Sequence, residues 1–418
     1  LKVLVIGSGA KEHAVTWAFS RSHRISALCA APGNAGTGEI AENISDIDIT
    51  NPEAVLDLCR RREIDFVFCG TARSQAAGVV DALIAEGFSV FGAPGESARL
   101  EADRSFAKSF MERHKIPTLP SKKICSEREL KRYLAKHPGR LVLKKNGLAR
   151  YVRSVESADR EALWDFGREV LAEDSLIAET YREGCNLSLL ALIDGEHHLL
   201  LPPASDYKKT QRNGDGVLTN GMGAVCPVPI IESSTYEKIL RDIVEPSIKG
   251  LKKDGLIYQG AFFIGLLVQG EQAFVTSYHV RFGDPEAQVL IPLITSDFGK
   301  LMEAVGNRQL DSYRLELSKD AAVGVVVAGD AYPQREDTDI PVQILRHYPE
   351  RDILIFHGAT YTKNGSQKIY TTGRRSFTVV GLGENIMKAN AKAYRGTERI
   401  EFSGAWKRSD IGNNFFDS

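Results

Sequence analysis

The chain is poor in cysteine, and its six cysteines form no pattern: Cys29, Cys59, Cys69, Cys125, Cys185 and Cys226 include no C-x-x-C pair. That spacing argues against a zinc knuckle or a disulfide framework and predicts reduced thiols in a cytoplasmic protein. Long apolar runs are also missing. None reaches about 18 residues, and the first residues read as a strand rather than a charged-then-apolar leader, so neither a membrane span nor an export signal is expected. Charge of one sign is not in excess, since 53 Lys plus Arg face 54 Asp plus Glu. No whole-chain field therefore favours nucleic acid or an anionic membrane. Internal repeats and low-complexity segments are absent as well.

What is present is ordinary globular material, 43% apolar and 26% charged. At 418 residues the chain is too long for one core and predicts about two to four packed domains. Residues 2–6 form a β-branched apolar run, followed by Gly7-Ser8-Gly9 and a helical pattern to residue 19. Buried-strand patterns recur at 64–69 and 89–92, with helical runs at 52–62 and 76–86 between them. This alternation predicts a parallel, doubly wound domain over residues 1–100.

A charged helix at 97–114 leads to Ile116-Pro117, a natural connector because the residue before proline avoids helix. Strand candidates at 141–144 and 176–179 flank a helix at 159–171, which predicts a small α+β lobe over 101–190. A glycine-rich loop at 205–223, a long helix at 234–254 and strands at 259–268 and 273–279 predict a larger antiparallel lobe over 191–318. Strands near 322–328, 353–356 and 376–381, then a helix at 383–394, predict a C-terminal α+β domain over 319–418.

Gly7-Ser8-Gly9 after a strand suits a turn that offers backbone N–H groups to a phosphate, or one that merely needs glycine. Its wider setting is more specific. VLVIGSGAKEHA at the start, APGNAG at 31–36, FGAP at 91–94 and RFGDPEAQ at 281–288 resemble, in order, landmarks of glycinamide ribonucleotide synthetases, the phosphoribosylamine–glycine ligases of purine biosynthesis. Lys144 with Gly147-Leu148-Ala149, Asp206 with Lys208, the loop Thr219-Asn220-Gly221-Met222-Gly223, and Arg408 with Asp410-Ile411-Gly412 extend the resemblance over essentially the whole chain.

The resemblance implies an ATP-grasp fold of mixed α/β and α+β class, with a doubly wound domain before it and an α+β domain after it. It implies ATP and Mg2+ as cofactors, and glycine and 5-phosphoribosylamine as substrates, joined through a glycyl phosphate. Nucleic acid and membrane are not among the implied partners, and oligomeric state stays open, a monomer being compatible. Phosphoribosylamine would lie near Gly7, Ser8, Gly9, Lys208 and the turn Pro32-Gly33-Asn34-Ala35-Gly36. The catalytic group would comprise Arg281, whose planar fork suits a carboxylate or phosphate, Asp284, and Asp206, which suits an ammonium group. Arg104, Lys144, Glu179 and Asn186 would hold the nucleotide. A bland alternative for Arg281 and Asp284 is a structural ion pair before Pro285.

Several positions depart from the family pattern. The magnesium ligands, a glutamate and an asparagine, are Ser277 and His279 here, a hydroxyl and an imidazole where magnesium favours hard oxygen donors. Asp284 and Glu286 remain as nearby carboxylates. The phosphate-covering glycines and lysine are replaced across Arg150-Tyr151-Val152-Arg153, the second hinge glutamate by Thr180, the ribose-binding glutamate by Asn186, a nucleotide-binding lysine by Arg104, and glycine-proline-glutamate by Gly70-Thr71-Ala72. Two readings follow: an active or weakened ligase with compensating residues, and a pseudoenzyme of the same fold that binds a sugar phosphate or a partner. A nicotinamide oxidoreductase is disfavoured because Glu12 stands where the last glycine of G-x-G-x-x-G belongs. Trp17 and Trp164 are expected to be packing residues. His13 is expected either near substrate or as a solvated cap residue. His197 and His198, adjacent on an extended segment, are expected on opposite faces and so not to share a metal.

Overall fold

The computed structural model describes all residues except 150–153, 212–215, 230–231, 346–350, 364–365 and 417–418. Arg150 to Arg153, where cover-loop replacements were expected, therefore lie outside the described residues.

The first strand, Lys2–Gly7, is the centre of a five-stranded parallel sheet, flanked by Ala27–Pro32 and Phe66–Cys69, with Glu42–Asn43 and Ser89–Phe91 at the edges. Side chains alternate along a strand, so a strand apolar at every position must be covered on both faces. Val3 and Val5 pack with Ala10, Ala14 and Val15 of the helix Ala10–Ser20. Leu4 and Ile6 pack with Val55, Leu58 and Cys59 of the helix Pro52–Arg62 on the other face. The expected helical run at 76–86 is two short helices, broken at Gly78, whose φ of 84° is cheap only for glycine.

The small lobe is an antiparallel sheet ordered Ser121–Ile124, Leu176–Thr180, Leu141–Lys145, Ser154–Ser157. Helices Glu127–Lys136 and Arg160–Leu171 cover it with a core of their own, which includes Leu130, Leu143, Leu163 and Leu176. The larger sheet pairs Cys185–Asp194 with Gln259–Gln269 and the latter with Gln272–His279. The helical stretch at 234–254 covers one face of that sheet. It contains a π turn at Leu240–Val244, just before Pro246, which cannot donate to the α ladder.

The C-terminal sheet joins distant parts of the chain. Ser205–Asp206 and Gly223–Cys226 pair with one another, and Gly223–Cys226 pairs with Ala321–Gly329, which pairs with Arg375–Gly383. One apolar core runs through the doubly wound domain, the larger sheet and the C-terminal sheet, with Phe68 stacked on Phe91 at 4.6 Å and Phe282 tilted against both. Trp17 is partly buried against this core and Trp164 against the small-lobe core. All six cysteines are free. Among the described residues, no helix is long and apolar enough to cross a membrane.

Asn34 ties these parts together. Its Nδ2 donates to the carbonyls of Ser8 (3.0 Å), Gly9 (3.3 Å) and His357 (2.8 Å), while its Oδ1 accepts from the N–H groups of Gly36 and Thr37, both at 2.9 Å. His13 is buried beside it and accepts at Nδ1 from the His357 N–H at 2.9 Å; burial, with His357 adding, pushes its pKa down to about 3. Buried rather than a solvated cap, His13 packs the C-terminal domain onto the first helix. A Cβ at Gly36 would lie 2.2 Å from the His13 ring, so only glycine fits there.

Because Asn34 is buried and every polar atom it carries is bonded, Asn34→Ala leaves several backbone groups without partners. We expect a loss of about 2–3 kcal/mol, read as a lower midpoint in urea unfolding.

Candidate active site

The sheets meet around one cleft of about 1260 Å³. Its lining includes Ser8, Gly9, Arg104, Lys144, Glu179, Asn186, Asp206, Lys208, Ser277, His279, Arg281, Asp284 and Glu286. Gly7 and residues 32–36 do not line it. They lie beneath, where Asn34 holds the turn. Twelve Lys and Arg face eight Asp and Glu among the lining residues, although the chain as a whole carries a net charge of −1. Such a local surplus favours an anionic ligand.

At the mouth of the first helix, the Gly9 N–H donates to Glu12 Oε2 at 2.9 Å. Lys11 bonds both the Glu12 carboxylate and the Gly70 carbonyl. The helix N-terminus, where a phosphate would be stabilised, thus already holds a carboxylate from its own first turn. Gly7, with φ of 136°, makes room for it, since a Cβ there would lie 2.5 Å from Glu12 Cγ.

Deeper in the cleft, three cations surround one acid. Glu179 is opposite Val142 on the small-lobe sheet, so Lys144, two residues on, shares its face. Glu179 lies 2.6 Å from Lys144 Nζ and 2.5 Å from Lys108 Nζ. Burial raises the Glu179 carboxyl, but Lys144 and Lys108 outweigh it and hold the pKa below the ordinary value. Burial pushes Lys144 down to about 8, against the pull of Glu179 and with help from Arg104 and Lys108. Arg104 begins a helix whose cap, Asp103, accepts from the Phe106 N–H at 3.1 Å, and its Nε donates to the Lys145 carbonyl at 3.0 Å. Asp103 also explains why the expected helix at 97–114 is two helices, Gly95–Ala102 and Arg104–Arg113.

Beside this cluster, Glu101 organises the end of strand Gln272–His279. Its Oε1 lies 3.0 Å from His279 Nδ1 and 2.8 Å from Arg281 Nη2, while its Oε2 accepts from the Val280 N–H at 3.2 Å. His279 Nε2 is 3.2 Å from Ser277 Oγ. Burial works against the Arg281 charge, yet Glu101, Asp284 and Glu12 hold its pKa above the usual value. Asp284 pairs with Arg375 at 3.0 Å and accepts from Gln288 at 2.8 Å. Burial tends to raise its pKa, but Arg375, Gln288, Lys11 and Arg281 hold it low.

The buried Glu286 accepts from Ser188 Oγ at 3.1 Å, and burial, with the Asp206 charge adding, pushes its pKa up to about 7. Lys208 Nζ lies 3.7 Å from Asp206 Oδ1. Asn186 takes part through its backbone, its carbonyl accepting from Ser205 Oγ at 2.8 Å.

A hydroxyl and an imidazole, the donors at 277 and 279, are poorer magnesium ligands than carboxylates. The hydroxyl and imidazole engage each other, Asp284 is committed to Arg375 and Gln288, and burial with the Asp206 charge raises the pKa of Glu286. Among the described residues, no group of three or more His, Cys, Asp or Glu is arranged to hold a metal ion. Sequence reasoning missed Glu101 and Lys108. Only the charged character of the 97–114 helix hinted at either.

Family models describing the phosphoribosylglycinamide synthetase N domain, ATP-grasp (A) domain and C domain match residues 1–101, 102–287 and 322–414. A phosphoribosylamine–glycine ligase of Agrobacterium fabrum is 34% identical over 420 residues, covering 99% of this chain and 98% of that protein. One from Caldanaerobacter subterraneus is 33% identical over 422 residues, covering 99% and 100%. Among solved structures, the phosphoribosylamine–glycine ligase of Thermotoga maritima superposes with a TM-score of 0.82 at 28% identity, covering 98% of this chain and 100% of that one. A biotin carboxylase–β,γ-ATP complex from Campylobacter jejuni gives a TM-score of 0.71 at 15% identity, covering 100% and 95%, a likeness of fold alone.

The raised Glu286 pKa carries a sign. A carboxyl whose folded pKa of about 7 exceeds its unfolded value stabilises the fold below the unfolded pKa and loses that contribution as pH rises through the folded one. Glu286→Gln should therefore be more stable than the parent at pH 8, by about 2–3 kcal/mol. The gain should vanish near pH 4, which urea unfolding at the two pH values would measure.

Proposed function

The chain belongs to the phosphoribosylglycinamide synthetase (phosphoribosylamine–glycine ligase) family of purine biosynthesis, whose middle domain is an ATP-grasp, and from that premise we propose that it binds the family's anionic substrates but turns them over weakly or not at all. The reading is supported by the Glu101–His279–Ser277 cluster, whose hydroxyl and imidazole are poor magnesium donors at the positions that the resemblance gives to the family's metal ligands. The nucleotide polyphosphate would be held by Arg104, Lys108 and Lys144, three cations sharing the single carboxylate of Glu179, with Asn186 toward the ribose. Phosphoribosylamine would enter past Ser8 and Gly9 toward Lys208. The buried Asp206 and Glu286 pair suits the ammonium of glycine, while the fork of Arg281 is already half engaged by Glu101. Free thiols fit a cytoplasmic setting.

That ammonium site also favours a second reading, an active ligase in which surplus arginines replace the metal's charge. Calorimetry with ATP, with and without magnesium, then coupled ADP detection with glycine and phosphoribosylamine, separates the two. We expect nucleotide binding that magnesium does not tighten, and ADP release that glycine does not stimulate. Glycine-dependent ADP release at a rate of about 1 s⁻¹ or more would establish the active ligase instead. Ser277→Glu combined with His279→Asn restores the family's donor set and should make nucleotide binding magnesium-dependent. If neither metal nor nucleotide affinity moves, the assignment of that strand to the metal position fails.

A further inference from the structure

Three side chains in the cleft stand in series: Ser277 Oγ is 3.2 Å from His279 Nε2, and His279 Nδ1 is 3.0 Å from Glu101 Oε1. Ser277 and His279 are two residues apart on one strand and so share a face, the one that lines the cleft. The Glu101 side chain is only 1% exposed and is fixed from two further directions, by the Val280 N–H and by Arg281. Across the ladder Ser277 faces Gly265, where a Cβ would come within 2.8 Å of the serine oxygen, so the hydroxyl occupies space that any other residue at 265 would fill. Behind the serine is a small cavity that Ser277 and Glu101 line together with Arg104, Lys108 and Lys144. Lys144 Nζ also donates to the carbonyl of Thr276 at 3.3 Å, the residue before the serine.

A hydroxyl against an imidazole whose far nitrogen lies 3.0 Å from a buried carboxylate, at ion-pair distance and a small ring rotation short of an aligned hydrogen bond, has the parts that activate serine toward carbonyl carbon. In the adjoining cavity the cations Arg104, Lys108 and Lys144 outnumber the acids Glu101 and Glu179, a surplus that favours a substrate whose leaving group is anionic. We propose that Ser277 is a nucleophile, with His279 as its general base and Glu101 as the residue that positions the imidazole, and that this site cleaves acyl phosphates. In the first step Ser277 Oγ bonds to the acyl carbon, its proton passes to His279 Nε2, and the bond from that carbon to the phosphate oxygen breaks, releasing inorganic phosphate. In the second, His279 returns its proton to solvent, then takes one from an attacking water, and the acyl–serine ester breaks as the proton returns to Ser277 Oγ. The sum is acyl phosphate plus water giving carboxylate, phosphate and a proton. Neither step uses nucleotide or metal, so this inference and the ligase reading fail independently.

The test uses the full chain, acetyl phosphate as probe, and no nucleotide or divalent metal. Acid-quenched samples are digested for mass spectrometry of the Ser277 peptide while phosphate release is followed. We expect an acetyl adduct on Ser277, and phosphate release that falls about a hundredfold in Ser277→Ala and in His279→Asn. In Glu101→Gln the rate of acetylation should fall, with partial recovery in Glu101→Asp, whereas a purely structural role would change the amount of folded protein and not the rate per folded molecule. A fluorophosphonate probe gives a second measurement, with label on Ser277 in the parent and none in His279→Asn. A phosphoryl rather than acetyl adduct, or labelling by the fluorophosphonate alone, overturns the acyl phosphate as substrate. A folded parent chain that neither reagent labels at Ser277 overturns the proposal entirely.

Discussion

One buried carboxylate, that of Glu101, sets the geometry on which the cleft depends. An acid removed from water must be matched by donors or it neutralises. Glu101 accepts from a backbone N–H and a guanidinium, and a third donor group, an imidazole nitrogen, lies 3.0 Å from it. Because those donors belong to Val280, Arg281 and His279, the acid fastens the end of the helix Gly95–Ala102 to the point where the large sheet turns into the R-F-G-D-P-E segment. Arg281 is thereby aimed, and with it Asp284, which continues the chain of charges to Arg375 and the C-terminal sheet. Helix, sheet and C-terminal domain share a single electrostatic seam.

Beyond that seam, charge is distributed very unevenly. A chain that is nearly neutral overall concentrates cations along its cleft and leaves its acids there either paired, as with Glu179 and Asp284, or with a raised pKa, as with Glu286. Coulombic effects are strongest where water is excluded, so an anion in the cleft would feel the deep cluster of Arg104, Lys108 and Lys144 more than the charged outer surface. The same burial that depresses Lys144 makes a bound polyanion the natural partner for these three groups.

Much of the fold was legible because its strands are patterned locally. The parallel core strands, the helix Pro52–Arg62 and the long strands of the large and C-terminal sheets all follow from apolar runs and their punctuation. What local pattern cannot carry is pairing at a distance. Glu101 lies 180 residues from Arg281 in sequence, and nothing in the 97–114 helix marks it apart from its other acids. Nor could spacing say that Glu12 folds back onto the Gly9 N–H, or that Asn34 commits its side chain to the carbonyls of Ser8, Gly9 and His357. Ser277 and His279 read as losses of metal ligands, because only the fold shows what an imidazole at 279 meets on its other side.

The small lobe, finally, keeps its apolar residues to itself. Its core draws only on residues between Ile124 and Ala178, while the bonds that cross to the rest of the molecule are polar, such as Lys209 to Glu156 and Lys144 to Thr276. Polar contacts exchange for water at little net cost, whereas a shared apolar core does not. Parting the small lobe from the other sheets would therefore leave its apolar core whole, and the main cost would be the buried Glu179–Lys108 pair that joins it to the helix Arg104–Arg113.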